Sequence, residues 1–159
     1  MDVDVESARV GEHGARESAC DRDALGNAAI RRGAFTGPAL SRRRVAIVSS
    51  AALIRRGDKP FPVGSGEHRA VPGAWPTADI LVSHVSINFD RAGYQRDINV
   101  VYPVDRLHDL AAEGLIGSVA QTHFSVMGST DPAAMVSAAD AIAAALHDDG
   151  VDAVLLCPV

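Results

Sequence analysis

The chain has 159 residues, of which 47% are hydrophobic and 4% aromatic, and its formal net charge is −5 at pH 7. This length suggests one domain, and the acidic balance does not favour a nucleic-acid or anionic-membrane partner. No apolar run approaches the ~20 residues of a membrane span. Residues 1–14 lack the apolar stretch of a secretory signal, and two cysteines do not make a disulfide framework. We therefore expect a cytoplasmic protein.

The first third of the chain divides into a polar segment and the start of a folded domain. Residues 1–33 are polar, rich in Gly and Ala and weakly periodic, which predicts disorder or a loose helix around residues 24–31. Residues 45–49 (VAIVS) follow three arginines and predict the first strand. We therefore place an α/β domain at residues 34–159, after the loosely ordered segment 1–33.

The middle of the chain alternates loops with short strands. Pro and Gly interrupt residues 55–77 so often that only a short strand at 68–71 fits there. Residues 80–84 (ILVSH) predict the next core strand. Residues 86–99 are polar and predict a loop.

Two helices are predicted from the residues at their ends. Pro103 is typical of a first helical turn and Gly114 of the position just past a helix, so a helix is expected between them. Asp131 and Pro132 likewise open a helix that runs to about His147, with apolar residues at helical spacing along one face.

Three further segments complete the predicted sheet. Residues 115–119 predict a short strand or turn, and residues 122–128 a loop or strand. The run VDAVLLCPV at residues 151–159 has the apolar composition of a buried parallel strand. The order of elements predicts a three-layer α/β domain with a mainly parallel sheet that is incomplete at its C-terminus.

Three side chains near predicted strand ends are candidates for catalysis, because ligands of open α/β sheets bind beyond the carboxyl ends of the strands. Cys157 is the plausible nucleophile by position, and the alternative is a buried, inert thiol. His84 ends a predicted strand, and His123 lies in the loop after Gln121 and Thr122. Each could act as an acid, a base or an orienting group, or could simply bond to the backbone of its loop.

The sequence lacks several common metal-binding, nucleotide-binding and hydrolase motifs. It contains no HxxxH or CxxC motif and no carboxylate cluster at ligand spacing, so no metal site is predicted. No GxGxxG follows a strand, and the phosphate-binding GxxxxGK[ST] and the GxSxG of α/β-hydrolases do not occur. We therefore predict no cofactor in this chain.

The stretch from about Phe35 to Val159 resembles the glycine/sarcosine/betaine/D-proline reductase selenoprotein B family, in its amino-terminal part. The third of four similar segments is the most specific, since it combines a polar loop, NVVYP, a helix, a glycine-bounded segment and MG. The four segments are residues 45–61, 83–89, 97–128 and 149–159.

The resemblance implies a redox subunit. In the family, the strand similar to VDAVLL leads into a selenocysteine or cysteine, often with a second cysteine nearby. A pyruvoyl group on a partner subunit holds the substrate amine as a Schiff base, the selenolate attacks the α-carbon, and the C–N bond is cleaved. Thioredoxin or another thiol regenerates the selenol, with disulfide as acceptor. The resemblance thus implies glycine, sarcosine, betaine, D-proline or a related amine as substrate.

For the candidate residues, the resemblance makes Cys157 a neighbour of the redox residue and His84 and His123 pocket residues. The expected selenocysteine would lie just after Val159. Because selenocysteine is encoded by UGA, otherwise a stop codon, we expect the chain to be a fragment ended at that codon. A UAA or UAG codon there would exclude this explanation. Such a fragment would expose an unfinished sheet edge, so poor solubility or self-association is expected.

The alternative function is a non-catalytic α/β module that binds a small molecule or a partner subunit. An ordinary stop codon, with no continuing reading frame, would favour this alternative and would remove most of the catalytic case for Cys157.

Overall fold

In the computed structural model, the central strand of a mainly parallel sheet is β1 (Arg44–Ser49). The structure describes residues 37–86, 88 and 90–159, so the predictions for residues 1–33 lie outside the described residues. The other strands are β2 (Leu53–Arg55), β3 (His68–Pro72), β4 (Ile80–Val82), β5 (Ser118–Val119), β6 (Thr122–Val126) and β7 (Ala153–Cys157). The helices are α1 (Ala92–Arg96), α2 (Val104–Ala112) and α3 (Val136–Asp148), and 3-10 turns lie at Leu40–Arg42, Thr77–Asp79, Ile98–Val100 and Pro132–Met135.

Both edges of β1 are hydrogen-bonded to parallel strands. On one edge β7 pairs with it from Val45 opposite Ala153 to Ser49 opposite Cys157. On the other edge β5 and then β6 follow one another along β1, and β3 pairs antiparallel with β6. The prediction of a mainly parallel sheet is confirmed.

The two faces of β1 pack against different helices, because successive side chains of a strand point to opposite faces. Val45 and Ile47 belong to a buried cluster with Val104 and Leu107 of α2. Ala46 belongs to a second cluster, with Ile142 and Leu146 of α3. The sheet therefore lies between two helical layers, as the sequence predicted. Among the described residues, none of the helices combines the length and apolar character that crossing a bilayer requires.

The predicted helix ends are present. Gly114, just past α2, has φ +72°, the left-handed conformation that favours glycine. The carboxylate of Asp131 accepts a hydrogen bond from the Ala133 N–H at 2.9 Å, and Pro132 opens the 3-10 turn that leads into α3. Local chemistry thus marks the end of α2 and the start of the helical segment that contains α3, whereas Pro103 lies one residue before α2 and no side chain caps its start.

Two predictions for the middle of the chain are wrong. Residues 80–84 do not add a strand to the core sheet, because β4 pairs antiparallel with β2 in a separate two-stranded sheet. The polar stretch 86–99 is not all loop, since it contains α1 and a 3-10 turn. Both errors involve elements of three to five residues, too short for an apolar repeat to reveal them.

The prediction that the last strand is buried is also wrong for the described residues. Val154, Leu155 and Leu156 are 43%, 39% and 68% exposed. β1 covers only one edge of β7, and no other described strand pairs with it. The apolar composition of β7 therefore marks a strand with an open edge.

The packing predicts unequal costs for two leucine substitutions near α2. Leu107→Ala should lower the free energy of unfolding by about 2–5 kcal/mol, because Leu107 is 4% exposed and its loss leaves a cavity. Leu115→Ala should cost less than about 0.5 kcal/mol, because Leu115 is 53% exposed. Urea unfolding of both variants measures the difference, and equal losses would contradict this packing.

Candidate active site

The carboxyl ends of β1, β6 and β7 meet at one edge of the sheet, where the sequence predicted a site. We call this region the carboxyl edge and define it by residues 49–52, 127–128 and 157–159. The backbone there is closely packed, since a Cβ on Gly128 would lie 3.0 Å from the Cβ, carbonyl oxygen and Oγ of Ser50. A side chain at position 128 would therefore displace the end of β1.

Two buried serine hydroxyls hold the chain as it leaves β1. Ser49 Oγ donates a hydrogen bond to the Val101 carbonyl at 2.7 Å. Ser125 Oγ donates to the Ser49 carbonyl at 2.9 Å and accepts from the Leu53 N–H at 2.8 Å. These bonds connect the end of β1 both to the segment before α2 and to β2. Sequence reasoning missed the role of Ser125.

Ala52 marks a sharp change of direction after β1. It is fully buried and has φ +54°, a left-handed conformation that costs a residue with a Cβ about 1 kcal/mol or more. Its N–H donates to the Val126 carbonyl at 2.9 Å, and its carbonyl accepts from Ser83. Hydrogen bonds from β6 and from Ser83, the residue after β4, thus hold a strained turn at the carboxyl edge.

Cys157 lies at the carboxyl end of β7, opposite Ser49. It is half-buried on the α2 side of the sheet, and its carbonyl accepts from the Ser50 N–H at 3.0 Å. Burial raises the pKa of the Cys157 thiol. The thiol is therefore protonated at neutral pH, so it is not an activated nucleophile in this state.

His84 is held beside the carboxyl edge through its neighbour Ser83. The N–H and Oγ of Ser83 both donate to the Ala52 carbonyl, each at 3.0 Å. His84 is 7% exposed, and its Nδ1 accepts from the Ser86 N–H at 3.2 Å. Burial and, secondarily, the positive charge of Arg91 lower the pKa of His84, so its imidazole is neutral at pH 7.

His123 lies inside the sheet, not at its edge. Val45 pairs with Val119 and Val48 with Phe124, so three steps along β1 span five along its neighbour. Because of this bulge, no backbone carbonyl of the neighbouring strand accepts a hydrogen bond from the Ile47 N–H. His123 Nδ1 accepts that hydrogen bond instead, at 3.0 Å. The imidazole thus takes the place of a backbone acceptor.

The surroundings of His123 keep it neutral. It is completely buried, and its ring meets that of Tyr102 edge-on with the centroids 5.5 Å apart. Burial, then the charge of His108, lower the pKa of His123 to about 4, against an opposing effect of Asp149. A neutral ring is also what the bond from Ile47 requires, because only an unprotonated Nδ1 can accept.

The three predicted site residues therefore lie in two places. Cys157 and His84 lie at or beside the carboxyl edge, whereas His123 lies at the level of Ile47, about 7 Å before the end of β1. Among the described residues, no group of three or more His, Cys, Asp or Glu side chains could hold a metal ion.

Comparison with known proteins adds to this geometry. The family profile described as glycine/sarcosine/betaine reductase selenoprotein B matches residues 80–158. The D-proline reductase subunit gamma of Acetoanaerobium sticklandii is 35% identical over 115 residues, which are 70% of this chain and 47% of that protein. The chain belongs to the glycine/sarcosine/betaine reductase selenoprotein B family.

A second member of this selenoprotein B family is more distant. The glycine reductase complex component B subunit gamma of Carboxydothermus hydrogenoformans is 28% identical over 122 residues, which are 74% of this chain and 28% of that protein. The chain thus spans less than half the length of either relative. No solved structure matches it. The family resemblance expected from the sequence is confirmed.

The position of His123 predicts a pH-dependent stability. In the unfolded chain this histidine takes up a proton near its ordinary pKa of 6.5, but in the folded chain only near 4. The unfolded state therefore binds more protons between these values, and stability is lost as pH falls from about 6.5 to 4. The contribution of His123 should reach about 3 kcal/mol. Chemical unfolding from pH 8 to pH 4.5 measures it.

The pKa of His84 is also lowered, so His84 also makes the protein less stable as the pH falls. Variants are therefore needed to assign the pH dependence to His123. His123→Asn should flatten the pH dependence, whereas substitution of the exposed His147 by Gln should leave it as in the wild type. An unchanged slope in His123→Asn would contradict the role assigned to the buried ring.

Proposed function

We propose that this selenoprotein B family member acts in a reductase complex that cleaves the C–N bond of glycine, sarcosine, betaine, D-proline or a related amine. The observation that carries the proposal is the Cys157 thiol at the carboxyl edge, inside the segment that matches the family. The names of the two relatives, subunit gamma in each, support a role with partner subunits.

In balanced form, the proposed reaction is a two-electron reduction. One C–N bond breaks, the carbon and the nitrogen each gain a hydrogen, and two thiols, or a selenol and a thiol, are oxidised to a disulfide or selenenyl sulfide. Thioredoxin or a small dithiol then reduces that bond again and is itself oxidised. A pyruvoyl group on a partner subunit would bind the amine and make its C–N bond easier to break.

The residues of this chain have separate roles in the proposal. Cys157 is one of the two groups that are oxidised, and because its thiol is protonated it must release a proton when it reacts. His84 is neutral and nearly buried beside the same edge, so it is the proposed acceptor of that proton, at Nδ1 and in place of the hydrogen bond from the Ser86 N–H. His123 supports the edge from within the sheet.

Substitutions in the complex test these roles. The chain, purified together with its natural partners, is assayed for dithiol-dependent consumption of D-proline, glycine, sarcosine and betaine. Cys157→Ser should reduce turnover to background, because a hydroxyl is not oxidised to a disulfide. His84→Gln should lower kcat by about 100-fold or more. His147→Gln, at an exposed position, is the control.

Full activity in Cys157→Ser would overturn the proposed role of the thiol. Wild-type complex that consumes none of the four amines would overturn all four named substrates.

One observation favours the second candidate function, a binding module. A cleft of about 500 Å³ lies between β4 and the segment that joins α1 to α2. Its lining includes a positively charged residue, Arg96, a negatively charged residue, Asp97, and the amide side chain of Asn99. Titration of the isolated chain with the same amines, followed by NMR, distinguishes the candidates: shifts confined to this cleft favour a module, and shifts at the carboxyl edge favour the reductase.

A further inference from the structure

Ser50 joins the ends of three strands. Its N–H donates to the Cys157 carbonyl at 3.0 Å, at the end of β7. Its carbonyl accepts from the Gly128 N–H at 2.9 Å, just after β6. Its Oγ accepts from the Val159 N–H at 2.8 Å. Ser50, the first residue after β1, therefore forms hydrogen bonds through its N–H, its carbonyl and its side chain. These bonds connect it to the end of β7 and to the residue that follows β6 by two positions.

The side chain of Ser50 substitutes for a backbone acceptor. If the parallel ladder between β1 and β7 continued, the Ser50 carbonyl would accept from the Val159 N–H. That carbonyl instead turns to Gly128, because the chain bends away after β1. The hydroxyl supplies the missing acceptor, and Pro158 between the two bonds has no N–H to satisfy. Only a residue with a short acceptor side chain can hold both segments at this position.

The room around Ser50 keeps this arrangement fixed. Gly128 lies so close that a Cβ there would be 3.0 Å from the Cβ and Oγ of Ser50. The side chain is thus confined on the β6 side, while its Oγ reaches Val159 on the β7 side.

We propose that Ser50 is the positioning residue of the candidate active site, because it fixes the backbone on both sides of Pro158 and thereby sets the position of the Cys157 thiol. The catalytic meaning of this role rests on the proposed function. The positioning itself involves no turnover, so it can be tested separately.

The first test is amide hydrogen exchange of the wild-type chain, followed by NMR. The Val159 N–H should be protected, because it donates to a partly buried oxygen. In Ser50→Ala that protection should fall by about fivefold, as expected for the loss of one neutral hydrogen bond. Exchange of the wild-type Val159 amide at the rate of an unstructured peptide would overturn the proposal, even if the variant did not fold.

The second test is the pH profile of thiol alkylation with iodoacetamide, resolved by peptide mass spectrometry so that Cys157 is followed separately from Cys20. In Ser50→Ala the β7 end is released, so the Cys157 profile should shift toward that of a free cysteine. The matched control is Ser125→Ala, which removes a buried hydroxyl that bonds to Ser49 and Leu53 but makes no hydrogen bond to β7.

The control separates positioning from general destabilisation. A shift of the Cys157 profile in Ser50→Ala but not in Ser125→Ala supports the proposal. No shift in Ser50→Ala, or an equal shift in both variants, overturns it. Neither readout uses an amine substrate, so failure of the proposed reductase activity leaves these outcomes interpretable.

Discussion

The structure depends on the hydrogen bonds that β1 makes along both of its edges. A parallel sheet keeps its strands in register only if each backbone group of the central strand finds a partner. β7 supplies these partners along one edge without interruption, whereas β5 and β6 are separated by a bulge. His123 closes that gap by accepting from Ile47. A buried imidazole is therefore part of the sheet's ladder.

The two ends of β1 are held by different chemistry. At the amino end, the guanidinium of Arg44 lies 2.6 Å from the Asp149 carboxylate, which also accepts from the Gln121 N–H. This pair is partly exposed, so its net contribution is about 1 kcal/mol or less. At the carboxyl end, neutral serine hydroxyls hold the chain instead. The end where we propose chemistry thus carries no ion pair of β1 that a charged ligand would disturb.

The sequence predicted those parts of the fold that have local causes. Caps and apolar spacing located α2 and α3, and the apolar run of β1 located the central strand. β2 and β4 were missed or misplaced because each has three residues and depends on the turn at Ala52, whose strain no local pattern reveals. Strand pairing of this kind is decided by tertiary contacts.

The candidate site was predictable only where the position of a residue depends on local sequence. Strand ends can be counted along a sequence, which is how the sequence placed Cys157 at the end of β7, whereas His84 lies two residues past the end of β4. The depth of His123 could not be predicted, because it follows from a bulge that appears only when two strands are paired. The role of Ser50 could not be predicted either, since it arises from a contact with Val159, far away in the sequence.

The parallel pairing of β1 also has a consequence for folding. Arg44 and Asp152, which bond across the start of β1 and β7, are 108 residues apart in sequence. A chain whose central contacts are this remote closes large loops before its core is complete, and such topologies fold slowly. During synthesis β1 is made long before the strands that pair with it, so its apolar residues stay exposed to solvent until those strands are made. We therefore expect the time between synthesis of β1 and of β7 to be the interval in which molecular chaperones matter most for this protein.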